Sequence, residues 1–203
     1  MAHKSILSEF LASCIIFLRR CLYLILYPYK TMRHIAEERD WTQIFIVFGV
    51  IAIYYVSLSW VKPMDHSPLL QLCLVLFNYT ATVLFIAFFG KSLGDDTELR
   101  KLLFVFAYAL VPTIIWFYMN TFLYVVIPPP RNLTILGKSF SIVFITISTS
   151  LLAWKLILWY LAIRFATKLK FYDILYITIL YIAIVVPYSL FMYHLGFFRI
   201  PFI

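Results

Sequence analysis

Asp95–Val126 reads DDTELRKLLFVFAYALVPTIIWFYMNTFLYVV, and the rest of the chain is arranged around it. The cluster Asp95-Asp96-Thr97 predicts a helix N-cap with Glu98 in the first turn, and no charged residue occurs from Leu102 to Ile127. A run of that length crosses a bilayer, which takes about 20 residues. Pro112, partway along, lacks the usual helical donor and predicts a kink.

Similar runs lie on both sides. The 203-residue chain is 64% hydrophobic, 20% aromatic and 13% charged, with mean hydropathy +0.95. A soluble core of this size cannot hide so much apolar surface. Long apolar stretches at about Thr42–Val61, Leu69–Gly90, Leu102–Ile127, Phe140–Ile163 and Ile174–His194 predict five transmembrane helices, antiparallel to their neighbours because the loops are short. The fold class is all-α and polytopic: residues 1–41 form a cytoplasmic and interfacial region, and residues 42–203 the five-helix domain.

From Ser5 to Tyr27 apolar positions recur at helical spacing, but Glu9, Arg19 and Arg20 interrupt the run, and the uncharged piece Phe10–Leu18 is too short to cross. This predicts an amphipathic helix in the interface with Arg19 and Arg20 toward lipid phosphates, a re-entrant or buried helix being the rival. Pro28 restarts the chain as a short polar helix running toward Asp40, and Trp41 is an aromatic anchor.

The net charge of +8 does not imply nucleic acid, because the basic residues sit at the ends of apolar runs. Lys4, Arg19, Arg20, Lys30, Arg33, Arg39, Lys91, Arg100, Lys101, Arg164, Lys168 and Lys170 fall on one side of the five spans. The other side has only Lys62, Arg131, Lys138 and Arg199. The positive-inside rule then puts the N-terminus in the cytoplasm and the C-terminus outside. Prolines 63, 68 and 128–130 stiffen the outer loops, and Asn132-Leu-Thr134 is a glycosylation sequon there.

No catalytic, metal or cofactor motif is present. Cys14, Cys21 and Cys73 have no CxxC spacing, His34 with Glu37 and Glu38 lacks the HExxH spacing, and Phe85 replaces the first glycine that a phosphate loop ending in Gly90-Lys91-Ser92 requires. Lys155 is the one charge inside a span, and all nine carboxylates lie outside the spans. An unpaired charge at that depth costs about 2.5–3.5 kcal/mol on insertion scales. Two readings stand. Lys155 joins a polar layer with Thr80, Thr82 and the carbonyls of Tyr108 and Ala183 that Pro112 and Pro187 release, with cation–π contact to Trp154 or Trp159; or it snorkels to the headgroups and the prolines only kink. Asn78 and Asn120 read as interhelical hydrogen-bonding residues.

Three features together resemble the YIP (Ypt/Rab-interacting protein) membrane-domain family: Pro28 to Trp41 before the first span, Gly94 followed by FAYALVP (Phe106 to Pro112), and Trp154 followed by the basic loop Arg164 to Phe171. The resemblance covers roughly residues 20–195 and implies five spans with a cytoplasmic N-terminus. Eukaryotic members carry a longer N-terminal region and a DLYGP motif, and are associated with Rab-type GTPases, Golgi and endoplasmic-reticulum membranes and membrane shaping. This chain has neither feature and resembles the short prokaryotic branch, so no GTPase partnership is implied, and the expected location is a prokaryotic plasma membrane.

The expected function is a non-enzymatic membrane protein that scaffolds partners or organises the bilayer. Its cytoplasmic surface would be Arg19, Arg20, Lys30, Arg33, Lys91, Arg100, Lys101, Arg164, Lys168 and Lys170, meeting anionic lipid headgroups or a membrane or cytoplasmic protein partner, with self-association allowed. The alternative is a small transporter or channel subunit working through the Lys155 layer.

Overall fold

In hydrocarbon the backbone satisfies its polar groups only in an α-helix or a closed β-barrel, and apolar runs of about twenty residues match the length of a spanning helix and exceed the roughly ten residues of a barrel strand. The computed structural model describes residues 6–38, 40–61, 66–93, 97–126 and 135–197 and has no strand among them. Its helices are α1 (Ile6–Leu26), α2 (Pro28–Ala36), α3 (Thr42–Val61), α4 (Pro68–Ser92), α5 (Leu99–Ala109), α6 (Val111–Val126), α7 (Ile135–Thr167) and α8 (Phe171–His194). Five segments are long and apolar enough to cross a membrane: α3, α4, α5 with α6, α7 from Gly137, and α8.

α5 is the hub. Leu102 and every residue from Phe104 to Ala109 are buried, and the helix packs against α2, α3, α4 and α7. α6 continues the same span at the periphery, with only Val111, Pro112 and Ile114 buried. The two meet at Leu110, whose N–H donates to the Ala107 carbonyl (3.2 Å) while its own carbonyl accepts from Ile114 (2.9 Å). Pro112 has no N–H to continue the α-helical ladder, so one turn tightens and the axis breaks.

Several boundaries differ from the sequence reading. α5 is capped at Glu98, without a side-chain hydrogen bond, and not by the Asp95-Asp96-Thr97 cluster; Thr97 is buried with an unpartnered hydroxyl, and Asp95 and Asp96 lie outside the described residues. α4 is capped instead by Ser67, whose hydroxyl accepts from Leu70 N–H at 3.3 Å, with Pro68 at its first position. α7 is 33 residues long, longer than the stretch Phe140–Ile163. At ~1.5 Å per residue it spans about 50 Å, because Gly137 and Lys138 do not break the helix and nothing in the sequence stops it before Thr167. The sequon Asn132-Leu-Thr134, Pro63 and the 128–130 prolines lie outside the described residues.

α1 and α2 fold back onto the bundle. Phe17 and Leu24 of α1 and Met32, Ile35 and Ala36 of α2 are buried against it. The outward positions of α1 are largely apolar too, Leu11, Ile15, Leu18, Leu22 and Leu26 among them, so polar exposure is confined to a few residues such as Ser8, Glu9 and Arg19.

The α4–α5 turn passes close to the end of α7. A Cβ on Gly90 would sit 2.5 Å from Thr97 Oγ1 and 3.3 Å from Thr167 Cγ2, so only glycine fits there. This contact draws the basic α4–α5 and α7–α8 turns to one end of the molecule.

Candidate functional site

Three polar regions are built on this frame. The first is a cluster where α1 and the segment entering α3 meet α5. Tyr108 Oη donates to Gln43 Oε1 (2.6 Å), and Gln43 Nε2 donates to the Ser13 carbonyl (3.1 Å) and Asp40 Oδ2 (3.2 Å). Ser13 Oγ donates to the same Asp40 oxygen at 2.9 Å, and Thr42 N–H donates to Asp40 Oδ1 at 3.0 Å. Burial alone would raise the Asp40 carboxyl, but the hydrogen bonds from Thr42, Gln43 and Ser13 hold it below its ordinary value.

Beside it Arg20 pairs with Glu38 and lies 6.0 Å from the Tyr108 ring, and Arg100 donates to the Glu38 carbonyl (2.7 Å). Burial lowers the Arg20 pKa, but hydrogen bonds and charge from Tyr108 and Glu38 more than offset that, so it titrates above its ordinary value. Burial pushes the neighbouring Cys21 thiol up to about 12. Trp154 Nε1 on α7 donates to the Leu24 carbonyl (3.3 Å) and fastens the far end of α1.

The second region is the basic end. Arg19, Lys30, Arg33, Lys91, Arg100, Arg164, Lys168 and Lys170 are exposed. Arg20 turns inward to Glu38, and Lys101 pairs with Glu98 at 2.6 Å, holding that carboxyl below its ordinary value. Arg164, Lys168 and Lys170 line a concavity at the α7–α8 turn with Phe165 and Phe171; Arg164 also donates to Tyr160 Oη (2.9 Å), and Lys168 has a left-handed backbone (φ 56°).

The third region is a cavity of about 520 Å³ among α3, α4, α5, α6, α7 and α8. Half-buried Lys155 lines it, as does Thr82, whose hydroxyl is 2.8 Å from Tyr181 Oη. On the same wall Tyr188 Oη donates to Asn78 Oδ1 at 2.7 Å. Thr80 is exposed and bonds back to the Leu76 carbonyl, and Pro187 is exposed on α8, so neither joins Lys155. Pro112 is buried in the α5–α6 break, where cap N–H groups reach the carbonyls of Ala107 and Tyr108. Trp159 donates to Thr178 (3.3 Å), and neither indole makes a cation–π contact with Lys155. Of the residues assigned to a polar layer, Lys155 and Thr82 therefore share the cavity.

The sequence pattern singles out neither Ser13 nor Gln43. Glu38 and Asp40 lie inside the Pro28-to-Trp41 pattern and Tyr108 inside FAYALVP, but nothing in either pattern joins them, and Tyr108's partner Gln43 is 65 positions away. Among the described residues no group of histidine, cysteine and carboxylate side chains could hold a metal.

No curated protein and no solved structure matches the chain. A family model described as the Yip1 domain matches residues 22–192, from the end of α1 to the last turn of α8. That stretch holds the docked α2, the five apolar spans, the FAYALVP hub and the basic α7–α8 turn, and the chain belongs to the Yip1 domain family of integral membrane proteins.

Proposed function

We propose that this protein is non-enzymatic and organises the membrane around it, its basic end holding anionic lipid headgroups or an acidic protein partner. The observation that carries the reading is the gathering of Lys91, Arg100, Arg164, Lys168 and Lys170 at one end, exposed and drawn together by the Gly90–Thr97–Thr167 contact. Arg20 and Lys101 fall outside this surface because each already has a carboxylate. Basic residues near an anionic leaflet contribute about 1 kcal/mol each. By the positive-inside rule this end faces the cytoplasm, with the C-terminus outside; that the membrane is a prokaryotic plasma membrane rests on the resemblance to the short prokaryotic branch. The α1 helix would lie along the same leaflet with its apolar outer face in lipid.

The test is native mass spectrometry of the protein released from mixed anionic and zwitterionic nanodiscs, with partner recovery measured in parallel. Replacing Arg164, Lys168 and Lys170 by Gln should weaken retention of anionic lipid by roughly a hundredfold, three contributions of ~1 kcal/mol each at 1.4 kcal/mol per decade. Unchanged lipid preference and unchanged partner recovery would refute the proposal. A second reading, solute passage, is favoured by the cavity at Lys155. Flux into reconstituted vesicles that disappears with Lys155→Leu would put it first.

A further inference from the structure

The intramembrane cavity holds polar groups that the fold leaves unused. Lys155 makes no hydrogen bond or ion pair among the described residues, and the Thr113 hydroxyl is buried without a partner. Of the other polar groups lining the cavity, Asn78 is matched with Tyr188 and Thr82 with Tyr181. Lys155 lies twelve residues from the end of α7 and Thr113 fourteen from the start of α5. At ~1.5 Å per residue both sit roughly 20 Å in from the same end of the bundle. No carboxylate can reach that level from within the spans, since only Asp173 falls in one, in the first turn of α8.

From that level the cavity runs between hydrocarbon and aromatic walls, such as Ile51, Val75, Phe117 and Ile184, toward Gly196 and Phe197. Its volume falls in the ~300–1,000 Å³ range of small-ligand sites. A methylene is close in size to a water molecule at ~30 Å³, so the space suits one chain of roughly seventeen carbons and not two. A small hydrated anion would leave these walls against water. A neutral chain would leave the ammonium unpaired in a low dielectric.

We infer that the cavity binds a single-chain anionic amphiphile drawn from the bilayer, its carboxylate or phosphate oxygens accepting from Lys155 Nζ and Thr113 Oγ1 and its chain filling the apolar walls. The site is separate from the basic end and holds whether or not a solute crosses the protein.

Trp116 and Trp159 line the cavity and report on it. The full chain carrying Trp41→Phe and Trp60→Phe, which removes two exposed indoles, is placed in phosphatidylcholine nanodiscs. It is then titrated with dibromostearate, with a brominated lysophosphatidate and with a neutral brominated stearyl ester. The expected result is saturable quenching by at least one anionic probe, at least tenfold weaker in Lys155→Met and recovered in Lys155→Arg, with only linear partitioning of the ester. The stronger of the two anionic probes tells a fatty carboxylate from a lipid phosphate. Val185→Phe, which fills the cavity and keeps the charge, should also abolish saturation, and it decides the question if Lys155→Met fails to fold. Saturation by the ester, or none by either anion, or the same affinity in the variants, overturns the assignment.

Discussion

Among the described residues the Tyr108 hydroxyl is the one donor to the side-chain oxygen of Gln43, itself 1% exposed. Tyr108→Phe keeps the ring and strands a buried amide oxygen, which costs about 1–3 kcal/mol. Denaturant titration in mild detergent should show a loss of that size, whereas Tyr118→Phe, whose hydroxyl bonds an exposed carbonyl site on α3, should lose less. Gly90 gives a second residue-level test. Gly90→Ala drives a Cβ into Thr97 Oγ1 and should lower Tm, and Thr97→Ala should restore part of it, since that hydroxyl has no partner to lose. Neither role was legible in the sequence. FAYALVP marks Tyr108 as part of a pattern, but a hydrogen bond to a residue 65 positions earlier exists only once the helices are packed. Lys155 was legible as an anomaly, because a charge without a carboxylate at its depth is visible from spacing alone. Its surroundings were legible only in part, because which side of α4 and α8 faces it depends on helix rotation, and that brings Thr82 to the same cavity and leaves Thr80 and Pro187 outside.

At the scale of elements, the spans themselves were readable. α3 begins and ends at Thr42 and Val61 as the uncharged run predicts, and α8 differs only at its start, where Phe171 follows Lys170. Apolar length is a one-dimensional property, and the bilayer reads it directly. Helix ends set by packing were less readable, as the shift of the α5 cap to Glu98 shows. The docking of α1 gives a pH test. Asp40 titrates below its ordinary value in the folded protein, so its contribution is fully present above that value and is lost as pH falls through the lowered one. The Tm advantage of the wild type over Asp40→Asn should therefore be constant near neutrality and shrink as pH drops below 3.8. A gap that stays constant across that range would show that the carboxylate does not hold α1.

At the scale of the molecule, the orientation that the charge count predicts can be read with thiols. In a background where Cys14, Cys21 and Cys73 are Ala, His66→Cys lies between α3 and α4, and Lys170→Cys precedes α8 at the opposite end. A membrane-impermeant maleimide added to intact cells should label His66→Cys at once and Lys170→Cys only after lysis. The reverse pattern would invert the topology and turn the basic surface away from the cytoplasm.

The bond from Trp154 to the Leu24 carbonyl also orders events in time. The ribosome delivers α1 before the residues that fasten it: Asp40 and Gln43 come at the entry to α3, Tyr108, whose ring meets Phe17, after two spans, and Trp154 only on the fourth. Domains are generally made from the N-terminus onward. Here α1 waits for the fourth span, 130 residues separating the two ends of that last bond. A nascent chain halted before α7 would carry α1 half-attached, with its apolar faces open to insertion machinery and chaperones. The seated helix is thus a mark that synthesis has passed the fourth span.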